Sequence, residues 1–76
     1  MIPFIELMAT VLDVPASAIS DDLGPATCAD WNSIKHLQII IAVEDNYQMS
    51  FDREEIRAIR RVGDLRRGLR SKGIEP

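Results

Sequence analysis

One segment constrains this chain more than any other: SIKHLQIIIAVEDNY, residues 33 to 47. Its middle, IIIAV, is rich in β-branched side chains and alone would suit a buried strand. Length and flanks decide against that. The segment runs to about fifteen residues, and the cap-favouring pair Asn32-Ser33 stands before it. Ile34, Leu37 and Ile41, with Ile40 and Tyr47, recur at helical spacing. A helix apolar on most sides must be packed on most sides, so this one is expected at the centre of the molecule.

The rest of the chain arranges itself around that helix. A first helix is predicted from about Pro3 to Leu12, with Phe4, Ile5, Met8, Val11 and Leu12 on one face. Pro15 stops it by biasing Val14 away from helix. A long aperiodic stretch follows, from Asp13 to Asn32, with a turn at Gly24-Pro25 and with Ile19 and Leu23 as core anchors. A short helical turn is expected around PASAIS. Asp52 and Glu55 have the spacing of a reciprocal cap and start a third helix, with Ile56 and Ile59 facing inward. Val62, Leu65 and Leu69 form the stripe of a fourth, which Gly73 ends. Gly68 in its interior costs about 1 kcal/mol relative to Ala. The expected fold is all-α, a small four-helix bundle with one long loop between helices 1 and 2.

Seventy-six residues make a single domain, residues 1–76. A domain this small buries roughly 60% of its unfolded surface, which leaves little room for a water-excluding catalytic cavity. Its lone cysteine, Cys28, has no partner for an internal disulfide, and no Cys/His cluster suggests a metal site. Cys28 reads as a small loop residue. Glu6 interrupts the apolar N-terminal stretch and no apolar run approaches membrane-spanning length, so a cytoplasmic protein without membrane insertion is expected. Residues 1 to 48 hold seven acids against Lys35, while residues 49 to 76 hold eight bases against five acids. Nucleic acid is not the expected partner of that basic half. Its arginines are mixed with acids and lack interleaved aromatic platforms, so they read as a solvated helix surface.

Ser33 is the candidate functional residue, and three roles compete for it. A nucleophile would need a base, and His36 lies on the same helical face. No Gly-x-Ser-x-Gly elbow surrounds the serine, however, and no third group orients the histidine. A plain helix cap is the simplest role, because a serine oxygen accepts orphan backbone N–H bonds. The third role is an attachment point: a helix start favours anions, so a phosphodiester on the Ser33 oxygen would sit in a favourable field on an exposed hinge.

Residues 21 to 59, DDLGPATCADWNSIKHLQIIIAVEDNYQMSFDREEIRAI, followed by RVGDL, resemble the acyl carrier protein family. The matching features are Asn32-Ser33-Ile34 at the helix start and the apolar run through Val43. After them come the acidic pair Glu44-Asp45, Tyr47, the Met49–Phe51 bridge and Val62-Gly63-Asp64-Leu65. The resemblance implies that Ser33 receives 4′-phosphopantetheine from coenzyme A, delivered by a separate magnesium-dependent phosphopantetheinyl transferase, with Asn32 and Ile34 flanking the attachment. It further implies a monomeric phosphoprotein without catalysis of its own, carrying acyl groups as thioesters between acyl-loading and acyl-using enzymes.

By the same resemblance, Lys35, Gln38, Glu44, Asp45 and Ile56 are the partner-facing positions. Asn32 stands where the family usually has aspartate, and Lys35 and Gln38 stand where it is usually acidic. A dedicated partner set is therefore expected, in a specialised pathway such as polyketide, lipid or polysaccharide tailoring, rather than generic fatty-acid synthesis. Trp31 is expected to be an apolar lid fastening the long loop onto the bundle, and His36 an ordinary surface histidine. Two alternatives stand beside this reading: a peptidyl or aminoacyl carrier, and an unmodified helical interaction module.

Overall fold

The computed structural model describes residues 1–76, and it contains helices and no strand. Four α-helices follow in order, α1 (Phe4–Leu12), α2 (Ser33–Tyr47), α3 (Arg53–Ala58) and α4 (Val62–Ser71), with a 3₁₀ turn at Ala16–Ala18. The radius of gyration, 11.2 Å, is that of a compact fold of this length, about 11.4 Å. No helix is long and apolar enough to cross a membrane.

Local chemistry sets the helix ends. Pro3 precedes α1 and lends its carbonyl to the Leu7 N–H at 3.0 Å. The stop comes at Asp13, earlier than Pro15: Asp13 adopts a left-handed conformation (φ 57°), and the Val14 N–H returns to the Ala9 carbonyl at 3.1 Å. Pro15 instead opens the 3₁₀ turn. Ahead of α3, the reciprocal cap forms as its spacing predicts. The Glu55 N–H donates to Asp52 Oδ1 at 2.8 Å, and the Asp52 N–H donates to Glu55 Oε1 at 3.0 Å. Gly73 ends the chain's last helical segment with φ 81°.

The core is one cluster. Phe4, Leu7, Met8 and Leu12 come from α1, Ile39, Ile40 and Val43 from α2, and Val62, Leu65 and Leu69 from α4. Leu7 joins the inward face of α1, while Ile5 and Val11 pack at its margin. Phe51 enters just before α3, and Ile59 enters just after it, with Ile56 half-buried between. Gly68 has a packing reason: a Cβ there would stand 3.1 Å from the Phe51 ring.

The long loop is tied down throughout. Ile19, Cys28 and Trp31 are buried in the core and Leu23 packs against it. Its backbone caps α4, with the Leu23 carbonyl accepting from the Val62 N–H and the Asp21 carbonyl from the Gly63 N–H, both at 2.9 Å. Gly24 lies so close to the Arg60 carbonyl that no side chain fits. The opposite charges of the two halves meet here. Asp21 pairs with Arg66 at 2.8 Å and Asp22 with Arg61 at 3.6 Å, while the Arg66 guanidinium lies over the Phe4 ring. The arginines of α4 are thus not merely a solvated surface; Arg66 is a largely covered strut.

The expectation of a central, enclosed helix fails. Helix α2 is not packed on most sides: Ile34, Leu37 and Ile41 are 68%, 58% and 65% exposed. Three partner helices, one of six residues, cannot surround a fifteen-residue helix, so the apolar side farthest from them faces outward.

Candidate functional site

The start of α2 is built by Asn32. Its extended backbone breaks from the loop, its carbonyl accepts from the His36 N–H at 2.8 Å, and its side-chain Oδ1 accepts from the Lys35 N–H at 2.9 Å. Those bonds fix the orientation of the amide, because the Lys35 N–H can only donate. Ser33 is therefore the first helical residue and not the cap. It is exposed, at the positive end of the longest helix.

Exposure alone does not single Ser33 out, since Ser17, Ser20, Ser50 and Ser71 are exposed as well. Position does. Ser71 closes onto the Gly68 carbonyl at the opposite, negative end of α4, at 2.7 Å, and Ser17 lies in the 3₁₀ turn. Ser20 and Ser50 lie outside any helix.

Next to Ser33, the chain's only histidine acts as a clasp. The Trp31 indole N–H donates to His36 Nδ1 at 3.1 Å, and His36 Nε2 lies 3.1 Å from the Ile56 carbonyl. An indole only donates and a carbonyl only accepts, so the neutral ring protonated on Nε2 satisfies both. His36 is thus not an ordinary surface histidine. Both its nitrogens are engaged, holding the end of the loop against α2 and α3, and neither is left to activate Ser33. Trp31 is the lid that the sequence suggests, only 2% exposed.

A groove of about 580 Å³ opens directly beside Ser33, lined by Pro25, Trp31, Asn32, Ser33, His36 and Leu37. Leu37 continues from its rim into the outward stripe with Ile34 and Ile41. At 100° per residue, Gln38 and Asp45 share that side of α2, and both are exposed. The other three partner-facing candidates are engaged within the fold. Lys35 Nζ donates to the Val11 carbonyl at 2.8 Å, satisfying the end of α1, and is half-buried. Glu44 Oε2 accepts from the Phe51 N–H at 2.9 Å and ties α2 to the segment leading into α3. The Ile56 carbonyl receives His36 while its side chain packs against the core.

The structure thus brings Asn32, Ser33 and Ile34 together at one exposed helix start, and adds a groove and a clasp that residue spacing alone did not disclose. On a helical wheel Ile34, Leu37 and Ile41 fall on one side with Gln38 and Asp45, but the apolar residues of α2 also fill its other sides, so the wheel alone does not show which side faces outward. No family model matches the chain, and no characterised protein matches it.

Proposed function

We propose that this chain is an acyl carrier protein, modified on the Ser33 hydroxyl by 4′-phosphopantetheine. The observation that carries the reading is the division of labour at the start of α2. Asn32 supplies the capping oxygen, so the Ser33 hydroxyl stands exposed with no capping task. In the modification, the serine oxygen attacks the coenzyme A phosphorus nearer the pantetheine. The pyrophosphate bond breaks, adenosine 3′,5′-bisphosphate leaves, and the hydroxyl proton passes to a base of the magnesium-dependent transferase. The group, once attached, supplies a thiol that holds acyl cargo as a thioester.

The residues present suit that group. The phosphodiester would lie at the positive end of α2, and the groove beside it is partly apolar. The protein then contributes position and recognition rather than catalysis, as a cytoplasmic monomer serving a dedicated set of acyl-loading and acyl-using enzymes. The stripe Ile34, Leu37 and Ile41, flanked by Gln38 and Asp45, is the surface those enzymes would read. Because Lys35 and Glu44 are occupied internally, that surface is more apolar than charged, which suits a specialised pathway.

An unmodified interaction module is the second reading, favoured by the same stripe, which needs no modification to bind a partner. Intact mass separates the two. After incubation with coenzyme A, Mg²⁺ and a broad-specificity transferase, the carrier gains one phosphopantetheinyl group and its Ser33→Ala variant gains none. No gain with several transferases supports the module.

A further inference from the structure

We propose that Asn32 is a retaining residue for the Ser33-linked arm, holding it back along the groove lined by Pro25, Trp31, His36 and Leu37. This rests on the carrier reading above. Ser33 itself lines the groove, so an arm on that oxygen starts beside it. Its volume, about 580 Å³, falls within the range of small-molecule sites, roughly 300–1,000 Å³.

The chemistry of the two ends matches. Asn32 uses its oxygen to cap α2, which leaves its amide N–H₂ without a protein partner on an exposed residue that lines the groove, one residue from the attachment point. A phosphodiester and the amide carbonyls of a pantetheine arm are acceptors for those donors. Among the other lining residues, Pro25 and Leu37 offer apolar contact to the arm's dimethyl carbon, while Trp31, only 2% exposed, forms the floor. His36 contributes only ring surface, since both of its nitrogens are engaged. An aspartate at position 32 would keep the cap while removing both donors, and it would set a negative charge beside the phosphodiester. The groove would then repel the arm it now retains.

The experiment uses the full chain, carrying the arm installed from coenzyme A and checked by intact mass. Nuclear Overhauser contacts are then measured between the arm's methyl groups and the protein. Contacts to Pro25 and Leu37, with a shift of the Asn32 side-chain amide on modification, are expected. In Asn32→Asp protein that intact mass shows to carry the arm, those contacts should weaken roughly fivefold, the loss of about one hydrogen bond. Leu37→Ala, an exposed position, should weaken the contacts to Pro25 without touching the cap and tests the groove; Asn32→Ala, which also lacks the donors, tests Asn32 if Asn32→Asp is not modified. A modified protein whose arm makes no contact with the groove overturns the inference and leaves the carrier reading intact. Contacts undiminished in Asn32→Asp overturn the role of Asn32. Absence of any mass gain overturns the carrier reading, and this inference with it.

Discussion

At the scale of single residues, the site depends on which neighbour performs which task. Asn32 caps α2 and Ser33 does not, so their alanine variants should differ. Asn32→Ala is expected to lose about 1 kcal/mol of stability and Ser33→Ala to stay within about 0.5 kcal/mol, by urea denaturation. The opposite ranking would make Ser33 the cap after all. His36 gives a second contrast. Removing its ring strands the Trp31 indole N–H, which is buried, so His36→Ala should destabilise by about 1–3 kcal/mol. A surface histidine without partners would show almost nothing. The sequence disclosed the cap-type pair but not the split of roles, because both residues are good caps and only the backbone decides which one is half-in. The Trp31–His36–Ile56 clasp was out of reach for another reason: its third member is a backbone carbonyl, which no side-chain pattern marks.

At the scale of elements, apolar periodicity found the helices but not which side of α2 faces water. Where polar residues alternate with apolar ones, as in α4, the stripe Val62, Leu65 and Leu69 was fully legible and is fully buried. Helix α2 is apolar all round in its middle, so its sequence carries no such contrast, and tertiary contacts choose the inner face. That choice is testable. Ile39→Ala should cost about 2–5 kcal/mol, whereas Ile34→Ser, Leu37→Ser and Ile41→Ser should each stay within about 0.5 kcal/mol in thermal or urea unfolding. Large losses in the second group would place those side chains in a core. The Asp52–Glu55 cap shows the reverse case, a feature local enough to be read from four residues.

At the scale of the whole molecule, the loop is what the sequence described least. Its anchors Ile19 and Leu23 were legible as isolated apolar residues. Its role as the cap of α4 was not, since that joins backbone groups some forty positions apart. The charge asymmetry of the two halves is the trace this closure leaves in composition, realised at Asp21–Arg66 and Asp22–Arg61. Arg66 also faces Tyr47. Burial pushes the Tyr47 phenol above its ordinary 10.0, against the smaller opposing effects of the Arg66 charge and the neighbouring Asn46 side chain. The folded state thus holds the phenolic proton more tightly than the unfolded chain does. Its contribution is complete below the unfolded value and is lost as pH rises through the folded one. Denaturation across pH 8 to 12 should therefore show a steeper alkaline loss in wild type than in Tyr47→Phe. Parallel curves would place the phenol in water.

All of these tests concern the scaffold; the central claim concerns one oxygen atom among five exposed serines. The most direct measurement is fragmentation mass spectrometry of the protein after incubation with coenzyme A, Mg²⁺ and a broad-specificity transferase. The account predicts one phosphopantetheinyl group, on Ser33. A group found on another serine, or none with several transferases, would contradict it.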